Sequence, residues 1–443
     1  MSVAVPPLAT GSWHRLHPLS PVIRASRALI GLAVIFGGSL FNTARAGRGG
    51  FYAHAGVATI LIGLGIVSWL VTRWRVQDGV LTIETGLIRR QSLRFPLAQV
   101  QAIDTVRPGL ARVLGLAELR LRMGGSTGSS GRLAYLSTTE AETLRGQLLA
   151  VASGPGVPRA DSGETILVSI PTQRLLGSIL LSQPSLLAMV VVIGLVIVAV
   201  AAPRAAVVML GSSGAAGLGL VTVLWRRFNG GYRLTVAEAP DGLHVRSGLV
   251  ETTAETIPKG RVQAVRMIEP LLWRPLGWCR VEVDVAGRQS RHGENSAEGR
   301  ELRAVLPVGS QVEAERLLSR ILPDAPLDRE GPPPRARLKS PLRFCNLAWG
   351  RTDSCAVTTT GWPARVTSWV PLEKVQSLRL VQGPIQRRLR LATIHLDTAG
   401  RSVRAALTDR DAGEADRVLA ELIVKCQAAR RLVRPRDPRT AST

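Results

Sequence analysis

The chain lacks the residue patterns on which most metal sites and phosphate-binding enzymes are built. Its four cysteines form no Cys-x-x-Cys pair, and none of its six histidines belongs to a His-Glu-x-x-His motif. Neither a zinc site nor a disulfide framework is therefore indicated. No Gly-Lys-Ser/Thr phosphate loop is present, and the glycine cluster at 124–131 is expected to be a loop between strands. We predict no catalytic residue, no metal and no cofactor.

Aromatic and acidic residues are also scarce. Aromatics make up 4% of a chain that is 46% apolar, so its apolar content is mostly Ala, Val, Leu and Ile. The chain has 32 acidic and 56 basic residues, which gives a net charge of +24. Such a charge favours binding to anionic lipid or nucleic acid. Alternatively, it reflects the excess of basic residues on the cytoplasmic side of a membrane protein. We favour the membrane explanation and expect no nucleic-acid partner.

Four apolar blocks predict two transmembrane hairpins, at 21–72 and within 169–227, the second preceded by an interfacial segment. Both hairpins end on Trp followed by Arg, at Trp74-Arg75 and Trp225-Arg226. Tryptophan favours the headgroup layer, and arginine beside it marks the cytoplasmic side. We therefore predict a multi-pass protein of the cell membrane, with both termini and all the domains outside the hairpins on the cytoplasmic side.

One stretch occurs three times without a gap. It begins at a glycine, continues through a proline and a Val-Gln pair, and ends at a second glycine. Short alternating apolar runs within it predict an antiparallel meander, and an amphipathic closing helix follows each copy. The first closing helix is predicted to start with a Thr139–Glu142 capping box. The aligned positions are Gly86, Gly248 and Gly361; Pro96, Pro258 and Pro371; Gln101, Gln263 and Gln376; Gly125, Gly287 and Gly400.

These features divide the chain into domains. The predicted order is a flexible N-terminus at 1–20, hairpin 1 at 21–72, domain 1 at 73–152, a linker at 153–168, the interfacial segment and hairpin 2 at 169–227, domain 2 at 228–322, a Pro-rich linker at 323–341, domain 3 at 342–427 and a basic tail at 428–443.

The repeated unit, together with His17-Pro-Leu-Ser-Pro21 before the first span, resembles the bacterial pleckstrin-homology-like domain family found in YdbT-type membrane proteins. The resemblance extends from about residue 14 to 427. It implies an α+β membrane protein with three pleckstrin-homology-like (PH-like) units, each a bent antiparallel sheet plus a C-terminal helix, and two transmembrane helical hairpins. It does not imply an enzyme. The third copy departs from the pattern at Leu389-Arg390, where the others have Leu-Gly. Either the turn differs there, or this copy uses Arg390 differently.

Two sets of repeated or clustered residues are candidates for function. The three glutamines of the Val-Gln pairs are predicted to hydrogen-bond backbone; a ligand contact is the alternative. Clustered arginines in units one and three are predicted to contact anionic lipid; a solvated basic face is the alternative. They are Arg73, Arg75, Arg89, Arg90, Arg94, Arg387, Arg388 and Arg390.

Three functions follow as hypotheses. The first is a non-enzymatic membrane protein that presents cytoplasmic PH-like domains as a protein- or lipid-binding and assembly platform. Its expected partners are the lipid bilayer, anionic headgroups, and a second copy or a related membrane PH-like protein. The alternative is a membrane subunit of an envelope-stress or toxin-resistance system. A lipid-modifying enzyme is disfavoured by the missing motifs.

Overall fold

The structure is a computed structural model of the chain. In it, most strands form where apolar and polar residues alternate along the sequence. The structure describes residues 12–23, 56, 59, 63, 66–67, 69–86, 90–97, 100–107, 109–123, 130–153, 165–201, 217, 219–239, 242–258, 260–285, 303–326, 328–400 and 403–433. Outside these residues lie most of the predicted hairpin at 21–72, most of the apolar block at 205–224, residues 124–129 of the glycine cluster and residues 434–443 of the tail.

The elements follow one another in the order of the repeats. The strands are β1 (His14–Arg15), β2 (Arg73–Gln77), β3 (Val80–Thr85), β4 (Gln91–Pro96), β5 (Val100–Arg107), β6 (Leu116–Met123), β7 (Ser130–Ser137), β8 (Thr165–Ser169), β9 (Thr235–Ala239), β10 (Gly242–Ser247), β11 (Thr252–Pro258), β12 (Val262–Glu269), β13 (Trp278–Val285), β14 (Arg303–Ser310), β15 (Ala348–Arg351), β16 (Cys355–Thr360), β17 (Arg365–Pro371), β18 (Val375–Val381), β19 (Leu391–Thr398) and β20 (Ala405–Asp411). The α-helices are α1 (Gly109–Val113), α2 (Thr138–Ser153), α3 (Thr172–Leu180), α4 (Gln183–Ala201), α5 (Gln311–Ile321), α6 (Ala336–Lys339), α7 (Pro384–Arg388) and α8 (Ala412–Val433).

The described chain forms two compact units. The first consists of Met1–Thr165 and Ile179–Thr256, and the second of Ile166–Ser178 and Ile257–Thr443. The boundary falls inside the second repeat, between its first strands and its last ones. Each unit is therefore built from more than one repeat.

In the first unit, β1-β2-β3-β4 form one antiparallel sheet. On β2, Trp74 and Val76 are buried, whereas Arg73 and Arg75 lie on the other side, as the two-residue period of a strand requires. Helix α2 closes the core of this repeat with Leu144 and Leu148, which are both buried. Full burial of such a side chain contributes about 1.5–3 kcal/mol.

The capping box of α2 lies two residues earlier than predicted. The Ser137 hydroxyl accepts a hydrogen bond from the Glu140 backbone N–H at 3.2 Å, and the Glu140 carboxylate accepts one from the Ser137 N–H at 3.1 Å. The predicted box of Thr139 and Glu142 is therefore wrong. Glu142 instead forms an ion pair of 2.6 Å with Arg107 on β5.

Successive repeats share sheets. In the first unit the strands are hydrogen-bonded in the order β7-β6-β5-β11-β10-β9, and in the second unit in the order β14-β13-β12-β17-β16-β15. The second sheet of one repeat thus continues into the first sheet of the next. The third repeat ends in the sheet β18-β19-β20, against which Val418 and Leu422 of α8 pack.

The repeated proline closes a strand in each copy. Pro96, Pro258 and Pro371 are the last residues of β4, β11 and β17, where a missing backbone donor costs little. The expected role of the repeated glutamine holds for Gln263, which is buried and donates to the Arg261 carbonyl at 3.2 Å.

The segment predicted as a Pro-rich linker at 323–341 is in contact with the third repeat. Glu330 forms a β-bridge with Trp349, and Ala336 of α6 is fully buried. At the C-terminal end of the third repeat, the Asp411 carboxylate accepts hydrogen bonds from the backbone N–H groups of Gly413 and Glu414, in the first turn of α8. That helix continues to Val433, so part of the predicted basic tail is helical.

No single helix within the described ranges is both long and apolar enough to cross a bilayer. Helices α3 and α4 meet that criterion only together, over Thr172–Leu180 and Gln183–Val198, with a bend of 55° between them. The two transmembrane hairpins remain a prediction.

Candidate functional site

The first sheet brings three of the predicted lipid-contacting residues to one surface. Arg73 and Arg75 lie on β2 and Arg94 on β4, and the register places Arg75, Thr82 and Arg94 side by side across three strands. Opposed residues of adjacent strands, and residues two apart on one strand, point to the same side. The three guanidinium groups therefore leave the sheet away from the core. We call this surface the basic face (Arg73, Arg75 and Arg94).

Trp13 lies against the basic face. The Arg73 and Arg75 guanidinium groups are 4.3 Å and 4.6 Å from the centre of its ring. Cation–π contacts at exposed sites contribute about 0.5–1 kcal/mol, and here they bring two like charges to one ring. Sequence reasoning missed Trp13. Its position shortly before a predicted span was a usable signal, because Trp favours the membrane interface.

Only part of this charge is neutralised within the sheet. Arg73 forms an ion pair of 2.7 Å with Glu84 on β3, and both side chains are partly exposed. Among the described residues, this is the one ion pair that involves the basic face. Arg75 and Arg94 therefore supply most of the net positive charge. Arg90 is exposed just before β4, and Arg89 lies outside the described residues.

The third repeat presents its arginines from a different kind of element. Arg387 and Arg388 end the short helix α7 and are exposed, and Arg390 is exposed in the turn that follows. The turn itself is the same as in the other repeats: Arg390 has φ +50°, against +68° for Gly115 and +62° for Gly277. The doubt raised by the loss of glycine is thus resolved, because arginine adopts the left-handed conformation there, at an energetic cost.

A buried charge network in the third repeat was also missed. Asp409 is fully buried, and its carboxylate accepts hydrogen bonds from Ser340 Oγ at 3.0 Å and Gln386 Nε2 at 2.7 Å, together with an ion pair from Lys339. Several donors from its own chain satisfy this carboxylate, so its role is structural. The network attaches residues 339–340 to the last sheet.

Among the described residues, no group of three or more His, Cys, Asp or Glu is arranged to hold a metal ion. A small cavity in the second unit is lined by Val265, Met267, Leu318, Arg329 and Trp369 and offers about 20 Å³. That is room for roughly one water molecule.

Three consecutive units of antiparallel sheet and closing helix, with a basic outer face on the first, define a tandem PH-like protein. A family model described as Bacterial PH domain matches residues 27–152, 175–324 and 335–424, and the chain belongs to this family. The predicted resemblance and the three repeats are thereby confirmed. The family is typically non-catalytic. No curated protein and no solved structure matches the chain.

Proposed function

We propose that this protein is a non-enzymatic integral membrane protein whose PH-like domains form a binding and assembly platform on the cytoplasmic side. In this proposal the basic face contacts anionic headgroups. The observation that carries it is the position of the basic face directly after an apolar segment. Helical residues 69–71 lead almost directly into β2, and Trp69 Nε1 donates to the Leu16 carbonyl at 2.9 Å. Residue 13 and the start of β2 are thereby held beside the end of that segment.

The apolar surface of α4 supports membrane insertion. Leu187 and Ile197 are 66% and 63% exposed, and Val200 is 82% exposed. A helix that is apolar all round requires either a protein core or lipid around it. Exposure of this kind over a helix from Gln183 to Ala201 is expected of a segment that lies in a bilayer.

The lipid contact is tested on the full chain, purified in neutral detergent and titrated with short-chain phosphatidylglycerol or phosphatidylcholine. Its thermal midpoint serves as the measure of binding. Each basic residue near an anionic surface is worth about 1 kcal/mol. The double variant Arg75→Gln with Arg94→Gln should therefore bind phosphatidylglycerol about 30-fold more weakly, while its response to phosphatidylcholine stays unchanged.

The matched control is Arg316→Gln with Arg404→Gln, which removes the same charge from exposed residues of other repeats. This control should bind phosphatidylglycerol as the unmodified chain does. Equal losses in both double variants would show a response to net charge alone. An unchanged affinity in the basic-face variant would show that this surface does not contact the lipid.

A further inference from the structure

The two junctions between successive repeats are built in the same way. β5 pairs with β11, and β12 pairs with β17. Two kinds of strand meet there. Strands β5, β12 and β18 all begin with the repeated Val-Gln pair, and strands β4, β11 and β17 all end with the repeated proline. Counted from those residues, the register is identical at both junctions. The pairs are Arg107–Thr252, Val106–Thr253 and Thr105–Ala254, and Glu269–Arg365, Ile268–Val366 and Met267–Thr367.

One strand of each kind has no such partner among the described strands. β18 pairs only with β19, and β4 only with β3. Val106 and Met267 are 3% and 5% exposed in the two junctions, whereas Val381 and Leu380, at the corresponding positions of β18, are 44% and 37% exposed. An outer strand with exposed apolar side chains is a template for pairing with another chain.

The charge on β18 does not prevent such pairing. Arg379 lies on this edge and forms an ion pair of 2.6 Å with Asp397 on β19. Edge charges often protect a sheet. However, Arg266 holds the same position on β12, where it is paired with Glu282 on β13 while β12 also pairs with β17. An arginine at this position is therefore compatible with a strand on either side.

A second contact recurs at both junctions. Arg112 donates to the Leu249 carbonyl, and Arg274, at the same position relative to the repeated glutamine, donates to the Pro363 carbonyl at 3.1 Å. Both acceptors precede the strand that the next repeat contributes. Arg387 occupies this position in the third repeat, and it is exposed. The third repeat thus presents both parts of a junction, the strand edge and the arginine.

We propose that β18 of one copy pairs with β4 of a second copy, in the register of the two internal junctions. The copies then join head to tail, because each copy uses its β18 edge toward one neighbour and its β4 edge toward another. Such an interface is heterologous and is formed by strand addition. The arginine side chains of the basic face project perpendicular to the sheet, whereas strand pairing uses the backbone groups at the edge of β4. The basic face therefore stays accessible after pairing. The expected pairs are Gln91–Val381, Ser92–Leu380, Leu93–Arg379 and Arg94–Leu378.

This inference deepens the assembly part of the proposed function and does not depend on the lipid contact, so either can fail alone. It is tested by co-expressing two full-length chains with different tags, both carrying Cys345→Ser to remove the exposed thiol. One carries Ser92→Cys and the other Leu380→Cys. Opposed residues of paired strands lie within disulfide reach. Oxidation of the membranes should therefore form a disulfide between the two differently tagged chains.

The control replaces Leu380→Cys by Gln376→Cys, which is exposed on the same strand but four positions out of register, about 13 Å away. It should give little linkage. Absence of a disulfide between residues 92 and 380 would overturn the proposed pairing. So would a disulfide yield between residues 92 and 376 equal to that between residues 92 and 380. A chain that stays monomeric by mass measurement in lipid nanodiscs would overturn it as well.

A second variant pair uses adjacent arginines. Arg387→Ala should raise the dissociation constant of the assembled chain about tenfold or more, the loss expected of one charge-assisted hydrogen bond. Arg388→Ala, next to it and also exposed, should leave the constant unchanged. Equal effects of both substitutions would contradict a specific junction contact and would indicate a general effect of charge.

Discussion

Arg365 and Glu269 form an ion pair across the junction between β17 and β12, where the register places them directly opposite each other. The Glu269 side chain is buried, and the Arg365 side chain is 38% exposed. The hydrogen bond to Glu269 raises the pKa of the Arg365 guanidinium, which burial alone would lower. A buried carboxylate of this kind depends on its partner, because burial without a counter-charge is costly.

Arg365→Ala should therefore destabilise the full chain. Because the arginine is partly exposed, we expect a loss of about 2 kcal/mol rather than the roughly 3–5 kcal/mol of a fully buried pair. This corresponds to a fall of roughly 4–8 °C in the thermal midpoint, followed by tryptophan fluorescence. Thr252→Ala, at the same position of the other junction, should change the midpoint by less than about 2 °C. Equal effects at the two positions would contradict a role for the ion pair.

Arg390→Gly should stabilise the third repeat. Arginine at φ +50° pays for a left-handed conformation that glycine adopts freely, and the exposed side chain contributes little packing. Allowing for the greater freedom of glycine in the unfolded chain, we expect a gain of about 0.5–1 kcal/mol. The converse change, Gly277→Ala, should cost about 1 kcal/mol, since an added Cβ there meets no atom within 4 Å and only the backbone conformation opposes it. A lower midpoint for Arg390→Gly would show that the side chain matters for folding.

Lys339→Ala should expose the segment before the third repeat. It leaves the fully buried Asp409 carboxylate without its cation, at an expected cost of about 3 kcal/mol or more. Limited proteolysis should then cleave near residues 331–340 faster than in the unmodified chain. Lys374→Ala, which removes a partly exposed lysine beside Glu373, serves as the control and should not alter cleavage. Unchanged cleavage in Lys339→Ala would show that other contacts hold this segment.

The four cysteines should differ sharply in reactivity. Burial raises the pKa of the Cys279 and Cys355 thiols to about 12 and also raises that of Cys426, whereas Cys345 is exposed. The thiolate is the reactive form. At pH 8, alkylation of the native chain should therefore label one residue, and alkylation in denaturant should label four. Intact mass spectrometry with Cys345→Ser, which should remain unlabelled when native, checks the assignment; rapid native labelling of that variant would contradict it.

The predicted membrane topology rests on the Trp-Arg ends of the two predicted hairpins. Reporter fusions after Arg48, Ser130, Arg204 and Gly400 should report outside, inside, outside and inside. The physical reason is the retention of arginine on the cytoplasmic side. Paired reporters, one active on each side of the membrane, provide the control at every site. An outside signal at Ser130 would disprove the orientation and with it the cytoplasmic platform.

Repeated residues made much of the architecture predictable from the sequence. The glycines, prolines and Val-Gln pairs recur at constant spacing, and the structure gives each copy the same strand order and a closing helix. Boundaries were less predictable: the α2 cap is at Ser137 instead of Thr139, and α8 continues to Val433. Helix ends depend on single hydrogen bonds, for which neighbouring Ser, Thr and Asp residues compete.

The candidate site was predictable only in part. The arginines of β2 and β4 stand out by composition, but their meeting on one face depends on the pairing of β2 with β3 and of β3 with β4. Trp13 reaches this face from a position far away in the sequence. The buried Asp409 network likewise joins residues 339, 340, 386 and 409.

The sequence by itself determined the repeated unit, its periodicity and its family, because these depend on local turn chemistry and on the alternation of side chains along a strand. Tertiary structure alone decided how one repeat joins the next. Strand pairing uses backbone groups that every residue carries, so the sequence does not mark which edge will be occupied. Only the folded chain shows that β5 and β12 are covered by the following repeat and that, among the described strands, β18 and β4 remain at the sheet edges.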